Sequence, residues 1–176
     1  MAKAYYKCPC GQSVQIVGHN RSDADRKAKW HEAEGHLCTT CEETRRAAEN
    51  AVAAAENRVA GLPALIGSEK QVAWAELIRS KMQPDILANA QRGRDLLARI
   101  AARDYPADRT PADVDRALAE INRNLLGVEI IRAQCKASWW IDNRVNTFAG
   151  LLASLKDQID EALAARTVAP ATDTER

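Results

Sequence analysis

Two short stretches rich in Tyr, Val and Ile, "AYYKC" and "QSVQIVG", flank a turn carrying Pro9 and Gly11, a pattern that predicts a β-hairpin over the first 18 residues. Next comes "RSDADRKAKWHEAEG", a short helix with Ser22 as N-cap, Asp25 closing a capping box and Gly35 as the stop. Thr39 with Glu42 and Thr40 with Glu43 repeat the capping spacing, and the Ala-rich run behind them predicts a helix over about 41–60, ended by Gly61. Ser68 and Gln71 open another, whose apolar face is Val72, Ala75, Ile78 and Met82 and which Pro84 should break or kink. A further helix follows in "DILANAQRGRDLLARIAA", and Thr110 with Pro111 starts one that reaches about residue 126.

From 128 to 165 no proline intervenes, although a break near Ser138 is possible. Val145, Phe148, Leu152, Leu155, Ile159 and Leu163 space out as the seam of a bundle helix. The last ten residues, "TVAPATDTER", have neither apolar period nor apolar mass and are expected to be disordered.

Lys and Arg total 25 against 24 Asp and Glu, so the overall charge gives weak support to non-specific nucleic-acid binding and none to an acidic nucleic-acid mimic. No window approaches the roughly 18 apolar residues of a membrane span, and the first residues lack a signal peptide's apolar run. A soluble, cytoplasmic protein with no membrane partner is expected.

Four of the five cysteines come in two tight pairs, Cys8 with Cys10 and Cys38 with Cys41. In a reducing compartment this favours a metal site over disulfides, and four thiolates suit the tetrahedral preference of Zn2+ with no position left for water. The first pair is a residue shorter than the usual spacing, which leaves open a histidine in place of one cysteine: His19, His31 or, best placed, His36. "HEAEGH" does not fit a zinc-protease signature, because its histidines are five apart and Gly35 interrupts the helix. Cys135 stands alone and is expected on a helix, packed on the same face as Ile131.

The predicted fold is thus mainly α: a small N-terminal zinc ribbon (β-hairpin plus short helix), then a helical bundle. Its expected parts are the ribbon over 1–41, a connecting helix over 42–61, the bundle over 62–166 and the tail over 167–176.

With "LPALIGSEKQVAWAELIR" and "KASWWIDNR" beside the N-terminal cysteine pairs, the chain resembles a loose group of small phage- and plasmid-type proteins over most of residues 5–144. The resemblance implies a mobile-element setting and this architecture rather than a reaction. Glu69, Lys70, Glu76, Arg79, Asp142, Asn143 and Arg144 in these segments would join them as an ion-pair network or form a recognition surface.

No nucleophile–base signature or Gly-rich phosphate loop is present, so no enzyme is expected. The leading expectation is a non-catalytic, zinc-containing interaction protein, a mobile-element accessory or anti-defence factor that binds a host protein. Its anchors would be Tyr6, Trp30 and the adjacent Trp139 and Trp140, of which the outward-facing one serves. The alternative is a nucleic-acid-binding regulator with Lys3, Lys7, Arg21, Arg26, Lys27 and Lys29 on phosphates and Tyr5 or Tyr6 stacked on a base.

Overall fold

The computed structural model describes residues 1–106 and 108–168. The protein is mainly α, with one antiparallel hairpin at its N-terminal end. The elements are β1 (Ala2–Lys7), β2 (Ser13–Gly18), α1 (Arg21–Ala33), α2 (Thr39–Val59), α3 (Glu69–Ala101), α4 (Pro111–Arg132), α5 (Ala137–Asp142), α6 (Phe148–Ser154) and α7 (Lys156–Val168). The chain divides into two compact units, the first covering Met1–Ala51 and the second beginning at Val52 inside α2. Among the described residues no helix is long and apolar enough to cross a membrane.

In the first unit, β1 and β2 pair in a register that sets Tyr5 opposite Gln15 and Tyr6 opposite Val14. Strand alternation sends Ala4 and Tyr6 inward, where they pack with Ala24 and Ala28 of α1. The helix begins earlier than the Ser22 cap expected from sequence: Asn20 is the N-cap and its Oδ1 accepts the Asp23 N–H at 2.9 Å. Hairpin and α1 approach so closely at Gly18 that a Cβ there would stand 2.3 Å from the Ala24 backbone nitrogen. Backbone cannot yield that far locally, so Gly18→Ala is expected to destabilise the first unit by about 1–3 kcal/mol or more. Wild-type hydrogen-exchange protection of β1 and α1 in that variant would contradict this packing.

The second unit has its core around Ala75, Ile78, Ile86, Leu126, Ile131, Trp140, Leu151, Leu155 and Ile159. The Ser68–Gln71 capping box forms as its spacing predicts, and Thr110 is the N-cap expected ahead of Pro111, its box completed by Asp113. Pro84 does not end its helix: α3 runs through it for 33 residues. Pro84 itself is exposed, while Ile78, Ile86 and Ala90 bury the opposite side, so packing outweighs the one ladder bond a proline removes. The helix expected to stop near 126 continues to Arg132, and Gly127 sits inside it where a Cβ would lie 2.2 Å from Leu152 Cδ2 of α6.

The long C-terminal stretch, expected as one helix with an optional break near Ser138, is broken three times: after Arg132, after Asp142 and at Leu155. Asn143 bonds back to the Trp139 carbonyl at 2.8 Å, Asn146 bonds to Asn143 at 2.7 Å, and Thr147 then caps α6 by accepting the Gly150 N–H. Short polar side chains thus compete with the helix ladder. Val145 consequently leaves the predicted seam and is 82% exposed, whereas Leu155 and Ile159 are buried in it. Cys135 is not helical either; it lies half-buried between α4 and α5, its carbonyl accepting the Ile66 N–H at 2.6 Å. Thr167 belongs to α7, and the expected tail lies outside the described residues from 169 onward.

Candidate metal centre

Two turns deliver the cysteines. After β1 the chain reverses through Cys8–Gln12, with the Cys8 N–H donating to the Gln12 carbonyl at 2.9 Å and the Gly11 N–H to the Cys8 carbonyl at 2.7 Å. Gly11 has φ +90°, a conformation costly for other residues, and this tight reversal is what lets a pair separated by Pro9 alone turn both sulfurs to one side. The second pair straddles the start of α2: the Cys38 carbonyl accepts the Glu42 N–H at 2.9 Å, and Cys41 lies in the first helical turn.

The sulfur atoms of Cys8, Cys10, Cys38 and Cys41 all lie within 4.8 Å of one another. Sulfurs about 2.3 Å from a tetrahedral ion stand about 3.8 Å apart, and the Cys10–Cys38 separation is 3.8 Å. None of the four is in a disulfide. The residues therefore fit a metal ion, and among the described residues no histidine joins the group.

The electrostatics favour a bound cation. Backbone N–H groups of Cys10 and Cys38, the latter 3.2 Å from the sulfur, hold the Cys8 thiol down at about 6, in the thiolate form at neutral pH. Cys41 is pushed up to about 12, chiefly because it donates its proton to the sulfurs of Cys10 and Cys38. Metal uptake must displace that proton, so adding Zn2+ to reduced, metal-free protein at neutral pH is expected to release protons. The check is calorimetry in buffers of different ionisation enthalpy; a buffer-independent heat would contradict it.

Around the sulfurs, Tyr6 is buried and its hydroxyl donates to the Leu37 carbonyl at 3.2 Å, tying the hairpin to the loop before Cys38. Burial, then the nearby Cys8 and Cys38, raise its ionisation above the ordinary tyrosine range. Its ring stacks on His31 at 5.2 Å, and His31 meets His36 at 4.3 Å and Trp30 at 4.9 Å. This aromatic cluster was not apparent in the sequence, where five-residue spacing sets the two histidines apart on a helix; α1 ends at Ala33 and the chain folds His36 back. Burial, followed by His36, lowers His31 below the usual imidazole value, and its Nδ1 is buried without a partner.

The four anchors expected for a host protein separate into two kinds. Trp30 is 54% exposed and Trp139 half-buried, but Tyr6 and Trp140 are core side chains, Trp140 fully buried with its Nε1–H on the Gln134 carbonyl at 3.1 Å. Neither offers a partner any surface. Of the basic residues, Arg26 and Lys27 pair with Asp23, and Arg21 with Asp25. Tyr5, not Tyr6, is the exposed tyrosine.

In the second unit the network expected between the two distinctive segments takes another form. Glu76 and Arg79 make a buried ion pair at 2.9 Å, completed by Asn57 and by the Pro63 carbonyl. Arg144 instead lies over the Trp74 ring, 5.7 Å from its centre. The segments meet through backbone, the Ala137 N–H donating to the Ile66 carbonyl at 2.9 Å. Asn57, absent from the sequence-based set, comes from 19 positions away, with no periodic signal to announce it. Comparison with known families, curated proteins and solved structures finds nothing that matches this chain.

Proposed function

We propose that this chain is a non-catalytic interaction protein whose N-terminal unit is folded around one zinc ion. The observation that carries this is the closed set of four converging cysteine sulfurs, in which the protein itself supplies every ligand a tetrahedral ion takes. A thiolate-only tetrahedral set selects zinc or iron among common metals, and zinc needs no redox partner. Residues Cys8 and Cys10 would hold it from the hairpin turn, Cys38 and Cys41 from the start of α2. Bound there, the ion would supply folding energy and no Lewis-acid position.

In the mobile-element setting that the resemblance implies, an accessory or anti-defence protein of this kind acts by binding. Trp30 and, as the outward member of its pair, Trp139 remain as surface aromatics for a host protein, while Tyr6 is lost to the core of the first unit. The test of a closed, non-catalytic centre is cobalt substitution. The Co2+ protein should show the intense absorption of a tetrahedral thiolate site and be indifferent to azide or thiocyanate. A spectral shift on adding either anion would reveal an open coordination position and overturn the proposal.

A further inference from the structure

The outward side of β1 and the groove along its edge form an exposed surface of the first unit. Lys3, Tyr5 and Lys7 alternate outward on β1, and Ser13, Gln15 and Val17 face the same way from β2, so this face of the hairpin carries no acidic side chain. Tyr5 is 62% exposed, and its hydroxyl lies 3.4 Å from Gln15 Oε1, which draws the ring across the strand pair. Beside it, between β1 and α1, runs a groove of about 550 Å³ lined by Lys3, Tyr5, Arg21, Asp25, Lys29 and Glu32 together with Ala4 and Ala28. Three cations there meet two carboxylates, and one of these, Asp25, is already held by Arg21 at 3.1 Å. Arg21 also reaches the Lys3 carbonyl at 3.4 Å, which fixes it along the strand edge. Among the described residues, Lys3 and Lys29 take part in none of the ion pairs found.

From this arrangement we infer that the β1 groove binds single-stranded nucleic acid, with Tyr5 as a stacking platform for one base and Lys3 and Lys29 on the flanking phosphates. The inference rests on the reading of the chain as a non-catalytic, zinc-folded binding protein and adds a nucleic-acid ligand to it. Single-stranded rather than duplex nucleic acid follows from the ring: a base must be unstacked from its neighbours to lie on Tyr5. Phosphates rather than carboxylates are favoured because the cations flank an aromatic plane, the pairing of charge and stacking that a nucleotide offers. Position along the strand matters as well. A zinc tetrathiolate carries two formal negative charges and adjoins Lys7, whereas Lys3 is about 13 Å farther along the strand. The phosphate contacts therefore belong to the Lys3 end.

The experiment is fluorescence anisotropy of a labelled oligothymidylate of about 12 nucleotides, titrated with the full-length, zinc-loaded protein over a range of salt. Saturable binding at low salt is expected, with log affinity falling against log salt at a slope of about −1 to −2, as two phosphate contacts to a single strand require. Tyr5→Ala should weaken binding about tenfold while Tyr5→Phe, which keeps the ring, should not. Lys3→Ala and Lys29→Ala should each flatten the salt slope. A duplex of equal length should bind more weakly. All three side chains lie at the surface, so zinc content and melting temperature should be unchanged in every variant.

Absence of saturable binding at low salt overturns the inference. So does binding that Tyr5→Ala leaves intact, or a Tyr5-independent affinity for heparin of the same strength, which would mark simple polyanion attraction. In each of those cases one equivalent of zinc in the preparation shows that the underlying reading survives. Protein that purifies folded without zinc overturns that reading and the inference built on it.

Discussion

Chelating the metal, or replacing Cys38 with Ser, should unfold roughly the first 40 residues and leave the second unit folded. The first unit buries only Ala4, Tyr6, Ala24 and Ala28 as its apolar cluster, too little to offset the chain entropy of ordering a hairpin, a helix and two turns. Zinc binding in small metal-folded domains is worth about 10–16 kcal/mol, so its loss exceeds any plausible stability of this unit. The second unit has a separate and much larger core built on Trp140, Ile86 and Ile131. Hydrogen exchange before and after chelation reads both at once. Amides of β1, β2 and α1 should lose protection, while those of α3 and α4 keep it. Retained protection of the hairpin without metal would contradict the assignment.

Glu76→Ala should destabilise the second unit by about 3–5 kcal/mol, the cost of leaving a buried cation without its partner. The Arg79 side chain is 2% exposed; its Nη2 donates to Glu76 at 2.9 and 3.1 Å, and Nη1 donates to the Pro63 carbonyl at 2.8 Å. Asn57 Nδ2 donates to the Glu76 carboxylate at 2.6 Å, so the substitution also removes that acceptor. A paired change, Glu76→Leu with Arg79→Met, should recover much of the loss because it removes both charges together. Urea unfolding followed by helical circular dichroism measures both. A loss below about 1 kcal/mol for the single change would place this pair among weak surface bridges instead.

The parts of the fold that sequence made legible are those written in local chemistry. The hairpin, the Ser68–Gln71 box, the Thr110–Pro111 helix start and the cysteine pairs each depend on residues a few positions apart. Where packing competes with local preference, sequence was a poorer guide: Pro84 stays helical because Ile78, Ile86 and Ala90 are buried around it. The break between α5 and α6 carries no proline; Asn143, Asn146 and Thr147 make it through side-chain hydrogen bonds, which leave no mark in the apolar period. The period of two that turns Cys8 inward also turns Tyr6 inward and Tyr5 outward, so the choice between the tyrosines followed from the metal site itself. Trp139 and Trp140 had no comparable signal, since only the position of α5 against the core decides which of two neighbours is buried.

Zinc K-edge X-ray absorption on the protein as purified tests the four-cysteine centre most directly. One equivalent of zinc surrounded by four sulfur atoms at about 2.3 Å is the expected result. A nitrogen or oxygen neighbour at about 2.0–2.1 Å, or zinc well below one equivalent per chain, would contradict a centre made by Cys8, Cys10, Cys38 and Cys41.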